Sequence, residues 1–117
     1  MCLVKMHARS TYRYAYRVLP VDCLAVYHIW YRPPCYGETD SVKSFEQELI
    51  LHRASTIGCF ITGDFNIHDK RWLKFSRHNA PEGTELHRVC IQHCLCECVQ
   101  KPTRNKYLLD LVLSDLD

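Results

Sequence analysis

No apolar stretch in this 117-residue sequence approaches the ~20 residues a helix needs to span a bilayer, so no membrane-crossing segment is expected. The opening MCLVKMHARS carries Lys and Arg but lacks a continuous apolar h-region. It does not read as a secretory leader, and the expectation is an intracellular chain. A dense basic block is missing too: 15 Lys+Arg against 13 Asp+Glu leave a formal net charge of +2, so any contact with a polyanion has to be local. There is no internal repeat, low-complexity tract or linker. What remains is ordinary globular composition, 47% hydrophobic and 24% charged, which argues against disorder, at a length suited to one small domain.

Eight cysteines would suggest disulfides in a secreted miniprotein, but the missing leader weakens that reading. The densest group is HCLCEC at 93–98, just after Cys90. A zinc site formed by His93, Cys94, Cys96 and Cys98 is one alternative. Zinc sites usually draw C-x2-C or His pairs from two loops, whereas these cysteines alternate like one face of a strand, which favours packing.

Residues 1–20 are basic and aromatic with weak periodicity, and suit an edge strand or a ragged start. VDCLAVYHIWY (21–31) is rich in β-branched and aromatic residues and reads as a strand ended by Pro33 and Pro34. Asp40 or Ser41 can cap a helix over 42–53, with Val42, Phe45, Leu49 and His52 on one stripe. IGCFIT (57–62) is apolar on both faces and is expected to be a central strand covered on both sides, with Gly63 turning the chain at its end. After a loop over 64–79, Pro81 opens a helix with Leu86, Val89, Cys90 and His93 at helical spacing. A short strand at 95–100, a turn at PTRNK and a final strand YLLDLVL complete an α/β layered order.

Chemistry gathers at FITGDFNIHDKRW, residues 60–72. The carboxyl end of a buried strand is a rigid platform, and side chains just beyond it are held firmly yet open to a ligand. Asp64 can orient or deprotonate water or bind a hard cation, and Asn66 can donate its amide to a phosphate oxygen. Alternatively both residues make Asx-type turns. Asp110, inside an apolar strand, either has a partner that neutralises it or faces outward on an edge strand. Tyr31, Thr103 and Arg104 can contact phosphate or cap a sheet edge. His68, Lys70 and Arg71 form a solvated loop or contact nucleic acid, and Trp72 reads as packed.

WYRPP (30–34), GDFNIHDKRWL (63–73), EGTELHRVCIQH (82–93), KPTR (101–104) and YLLDLVLSD (107–115) together resemble the endonuclease/exonuclease/phosphatase superfamily, and more narrowly the apurinic-type endonuclease domain of non-LTR retrotransposons. The resemblance covers residues 21–117 and leaves 1–20 as a poorly defined segment. It implies part of a two-sheet β-sandwich flanked by helices, DNase I-like and truncated at both ends. It also implies Mg2+-dependent hydrolysis of a DNA phosphodiester, a reverse transcriptase in the same polyprotein and a nuclear site of action. By the same resemblance Tyr31 lies near the scissile phosphate, Asp64 aligns or activates water, Asn66 steadies the phosphate and Asp110 orients a catalytic histidine. Arg104, His68, Lys70 and Arg71 are the candidate DNA contacts. The family's metal-binding glutamate strand is not visible in residues 1–20, and Leu116 follows Ser114 and Asp115 where the family motif has histidine. No metal ligand is therefore assigned, Mg2+ is not expected to bind tightly, and the chain alone is expected to be inactive. The alternative is a non-catalytic nucleic-acid-binding or structural remnant of the same fold. Cys94 also stands where a turn-forming glycine is expected.

Overall fold

A computed structural model describes residues 3–9, 12–18, 25–53 and 58–115, with side chains described for 30–51 and 58–115. Along the chain come strands β1 (Leu3–Arg9), β2 (Tyr12–Val18) and β3 (Ala25–Tyr31), then helix α1 (Asp40–Arg53) and strand β4 (Gly58–Asp64). Helix α2 (Pro81–Gln92) and strands β5 (Cys96–Glu97) and β6 (Asp110–Ser114) follow. The strands form one mixed sheet in the order β1-β2-β3-β4-β6-β5. β3 and β4 run parallel, joined through α1, and the other neighbours are antiparallel. The α/β layering matches the sequence reading. All the described strands lie in this one sheet, so the second sheet of the expected sandwich is not among the described residues. Nor is any described helix long and apolar enough to cross a membrane.

The helices share one side of the sheet, where Arg88 of α2 bridges to Glu46 of α1 at 2.8 Å. Beneath them lies the core. α1 contributes Val42, Phe45 and Leu49, and α2 contributes Leu86, Val89 and Cys90. His52, the last residue of the α1 stripe, lies outside the described side chains. Cys59 and Ile61 of β4 and Leu111 and Leu113 of β6 face the helices and are buried, while Phe60, Thr62 and Val112 alternate to the opposite face and stay half-exposed. The continuous apolar run thus misled on one point: β4 is covered on its helical face and partly open on the other. Trp30, Phe45 and Phe65 form an aromatic knot, with Trp30–Phe65 ring centroids 4.7 Å apart. Because Phe65 is fully buried, it anchors the two residues on either side of it, Asp64 and Asn66.

Several boundaries differ from the sequence expectation for identifiable reasons. α1 begins at Asp40, and its free amides are met from further upstream: the Thr39 carbonyl accepts from Val42 and Lys43, and the Glu38 carboxylate accepts from Ser41 N–H. The final strand starts at Asp110 because Tyr107 turns back to bridge Arg104 and the Leu108 amide donates to Phe75 O. β5 is only Cys96–Glu97. Cys94 does not alternate on a strand. It sits at φ +57, with Leu95 N–H donating to Cys90 O and Cys94 N–H to Ile91 O. This is the left-handed closure of α2 that normally selects glycine.

Gly63 does not turn the chain. It lies within β4 at φ +154, and a Cβ there would fall 1.7 Å from the Trp30 carbonyl oxygen. Its lack of a side chain lets β3 and β4 approach at the edge where the candidate residues emerge.

Candidate active site

Parallel β3 and β4 deliver their carboxyl ends to one edge of the sheet, and antiparallel β6 begins there. The register pairs Tyr31 with Asp64 and Asp64 with Asp110. Side chains directly opposite on neighbouring strands share a face, so a tyrosine and two aspartates stand in one row on the open side. Tyr31 is 50% exposed, while Asp64 and Asp110 are half-exposed.

The P-T-R loop closes over this row. Thr103 Oγ1 accepts the amides of Leu109 (3.1 Å) and Asp110 (2.9 Å), fixing the loop to the start of β6. From there Arg104 Nη2 reaches Asp64 Oδ2 at 2.6 Å, while Asp64 Oδ1 is buried and accepts no hydrogen bond among the described residues. The Asp64 carboxylate, with Asp110 and Tyr31 adding smaller effects, holds the Arg104 guanidinium above its ordinary pKa. Thr103 therefore caps a strand, and Arg104 faces the carboxylate row.

Asn66 is held differently. It adopts φ +48, a left-handed conformation that asparagine tolerates better than most residues. Its Nδ2 donates to Arg32 O at 2.6 Å, and its own carbonyl accepts from Arg32 Nη1 at 3.0 Å. The sequence led us to expect an amide on an open loop. Asn66 is buried instead, because its neighbour Phe65 draws this turn into the core. One amide hydrogen and Oδ1 remain for a ligand.

The sequence reading overlooked Arg32. It is fully buried, its Nε donates to Ser41 Oγ at 3.0 Å, and its Nη2 donates to the Cys35 and Glu38 carbonyls. Glu38 and Glu82 carboxylates lie 3.6 and 3.8 Å away. Its one sequence signal was a charged residue wedged between a strand end and two prolines.

Beyond the turn, the 64–79 loop is braced rather than simply solvated. Fully buried Asp69 accepts from the Arg71 backbone N–H, Nε and Nη2, the last at 2.6 Å. Burial pushes the Asp69 carboxyl up, but the bonds from Arg71 outweigh it and leave the pKa below the ordinary value. Lys70 has an exposed side chain, and its amide donates to Asn79 Oδ1. His68 Nδ1 accepts the Arg77 amide at 3.0 Å. Burial first, then His78 and Arg77, lower the His68 pKa. Trp72 is packed: its Nε1 donates to Gly83 O and its ring stacks on His87 at 4.9 Å. Of the four candidate DNA contacts, Arg104 lies on the row, Lys70 is exposed, Arg71 is engaged by Asp69 and His68 faces a neighbouring cavity.

Two carboxylates, a phenol and a guanidinium on one edge can orient water and bind a phosphate. Asp64 and Asp110 carry carboxylate oxygens of the kind a hard metal ion takes, and one Asp64 oxygen is engaged by Arg104. Among the described residues no group of three or more His, Cys, Asp or Glu side chains is placed to hold a metal. The zinc alternative gains no support, since His93 Nε2 lies 3.0 Å from Glu46 and Cys94 closes a helix.

No curated protein matches the chain. Residues 25–117, which carry β3 through β6 and every residue of the row, match the family described as endonuclease-reverse transcriptase. The chain belongs to this family, as a partial retrotransposon domain of the endonuclease/exonuclease/phosphatase type.

Proposed function

We propose that this domain binds a DNA strand along the β3–β4–β6 edge and presents a phosphodiester to Tyr31, Asp64, Asn66 and Asp110. The observation that carries this reading is the cross-strand row Tyr31–Asp64–Asp110, set within a chain of this family. Tyr31 and Asn66 donate to phosphate oxygens, and Asp64 orients the attacking water, with Asp110 beside it on the row. Arg104 leaves Asp64 for the arriving phosphate, which frees the carboxylate for its task. A reverse transcriptase in the same polyprotein and a nuclear site of action belong to the same reading.

In the family, Mg2+ supplies charge neutralisation at the phosphate. Arg104 engages one Asp64 oxygen, so we infer that this chain holds Mg2+ weakly and hydrolyses DNA poorly by itself. A second reading, a DNA-binding module without chemistry, draws on the Arg104–Asp64 ion pair, which engages an oxygen that catalysis would need.

The test uses fluorescence anisotropy with a short labelled duplex, beside a supercoiled-plasmid nicking assay with Mg2+. Salt-dependent binding that weakens in Arg104→Ala is expected, with no nicking above background. Absence of binding would overturn the reading. Robust nicking that disappears in Asp64→Ala would show instead that the chain holds its own metal.

A further inference from the structure

Although the whole chain is nearly neutral, its cations are not evenly spread. Residues 70–79 and 101–107 hold seven of the 15 Lys+Arg and no Asp or Glu, which leaves eight Lys+Arg against all 13 Asp+Glu elsewhere. The fold lays these two segments side by side. Lys74 Nζ donates to Gln100 Oε1 at 3.1 Å, and the Leu108 amide donates to Phe75 O at 3.2 Å. Lys74, Lys101 and Lys106 are exposed, and the second segment also carries Arg104, which reaches Asp64.

Next to Lys74 stands Phe75, 44% exposed and outside the hydrophobic core. Its backbone lies in the left-handed region at φ +60, where a bulky L side chain is strained and glycine is not. The chain is pinned on both sides of it, since Leu73 is buried and Ser76 Oγ accepts the Asp69 amide at 3.0 Å. Packing does not call for a phenylalanine here, and the backbone disfavours one. Strain that the surrounding structure enforces in this way points to a role for the side chain.

We propose that Phe75 is an apolar wedge that enters the base stack of duplex DNA, with Lys74, Lys101 and Lys106 on the phosphates around the point of entry. The inference rests on the DNA reading above and adds to it a contact outside the Tyr31–Asp64–Asp110 row. Phosphate contact alone would use the lysines and leave the ring in water. Insertion between base pairs removes the ring from water, and the unstacking it causes lets the duplex bend against the basic segments. An acidic polypeptide would pair with the lysines too, but it carries no continuous stack of flat rings for Phe75 to enter.

The experiment moves a single 2-aminopurine through a short duplex and reads fluorescence and affinity for wild type, Phe75→Leu, Phe75→Ala, Phe75→Gly and a triple Lys74→Ala, Lys101→Ala, Lys106→Ala variant. Wild type and Phe75→Leu should brighten one base step. Phe75→Ala should abolish that signal and weaken binding ~10-fold, in line with one lost base–aromatic stack, while keeping the wild-type salt slope. The triple variant should lower the slope by ~3, about one for each phosphate contact. Phe75→Gly should raise the urea midpoint by relieving the backbone and yet lose as much affinity as Phe75→Ala, a split that a structural role for the ring would not give. No brightened step with wild type, or a Phe75→Ala variant that binds like wild type, overturns the wedge; the DNA reading then stands if Arg104→Ala still weakens binding. Polyglutamate that competes with DNA at equal affinity, and loses that affinity in Phe75→Ala, would assign the patch to an acidic polypeptide and overturn the wedge. Failure of wild type to bind any duplex overturns both.

Discussion

The GDFN turn has two sides, and they treat polar groups in opposite ways. Behind it, fully buried Arg32 donates to Ser41, Asn66, Cys35 and Glu38 and lies near two carboxylates. In front, Asp64 has one oxygen on an exposed arginine and another that accepts nothing among the described residues. Satisfied buried polar groups specify geometry, whereas under-satisfied groups at an edge are available to a ligand. The rear network is therefore scaffold, while the front row leaves polar groups available to a ligand.

The strongest way to break this contrast is Arg32→Met. It leaves carbonyls and the Glu82 carboxylate without their cation, and loss of one member of such a buried set costs about 3–5 kcal/mol. Urea denaturation should show the fall, and a loss under ~1 kcal/mol would mean that the rear network is not scaffold. Gly63→Ala comes next. The new Cβ meets the Trp30 carbonyl oxygen at 1.7 Å, so β3 and β4 must part. A destabilisation of ~3 kcal/mol or more is expected, since backbone clash in a core pair lies in the large tail of mutational effects.

The placement of Tyr31, Asp64 and Asn66 at or just past strand ends was legible in the sequence because the apolar runs before them announce those strands, whereas Asp110, read as lying inside a strand, opens β6 instead. Arg32 was not legible, since its acceptor Asn66 lies 34 residues away and only folding reveals the pairing. The same limit explains Gly63, whose reason is a carbonyl on another strand, and Phe60, whose apolar run could not tell one covered face from two.

A control outside both regions is Cys94→Gly. Relief of the left-handed conformation should stabilise the chain by ~1 kcal/mol in the same denaturation assay, without changing DNA affinity. Asp64→Asn sharpens the contrast from the front. Its ion pair with an arginine that is 51% exposed is screened by solvent, so the melting temperature should hardly move. DNA affinity should rise a few-fold, because Arg104 is released and a repelling charge is gone. A large loss of stability would assign Asp64 to the scaffold instead.

The smallest effect concerns pH. The folded-state pKa of His68 is lowered from 6.5, so the unfolded chain takes up this proton more readily. Its contribution to stability is present above pH 6.5 and is lost as pH falls toward the folded value. Replacing His68 with Gln should flatten the shallow slope of stability just below pH 6.5, as read from denaturation midpoints across pH. An unchanged slope would assign it to other groups.

The reciprocal bonds between Asn66 and Arg32 have a consequence for inheritance. The Asn66 amide and the buried Arg32 guanidinium each donate to the other's backbone carbonyl, and Asn66 does so at φ +48. Each acceptor is a backbone carbonyl that any residue would supply, so either side chain can be lost in a descendant without taking away the other's acceptor, and the pairing fixes the shape of the turn rather than the identity of its partner.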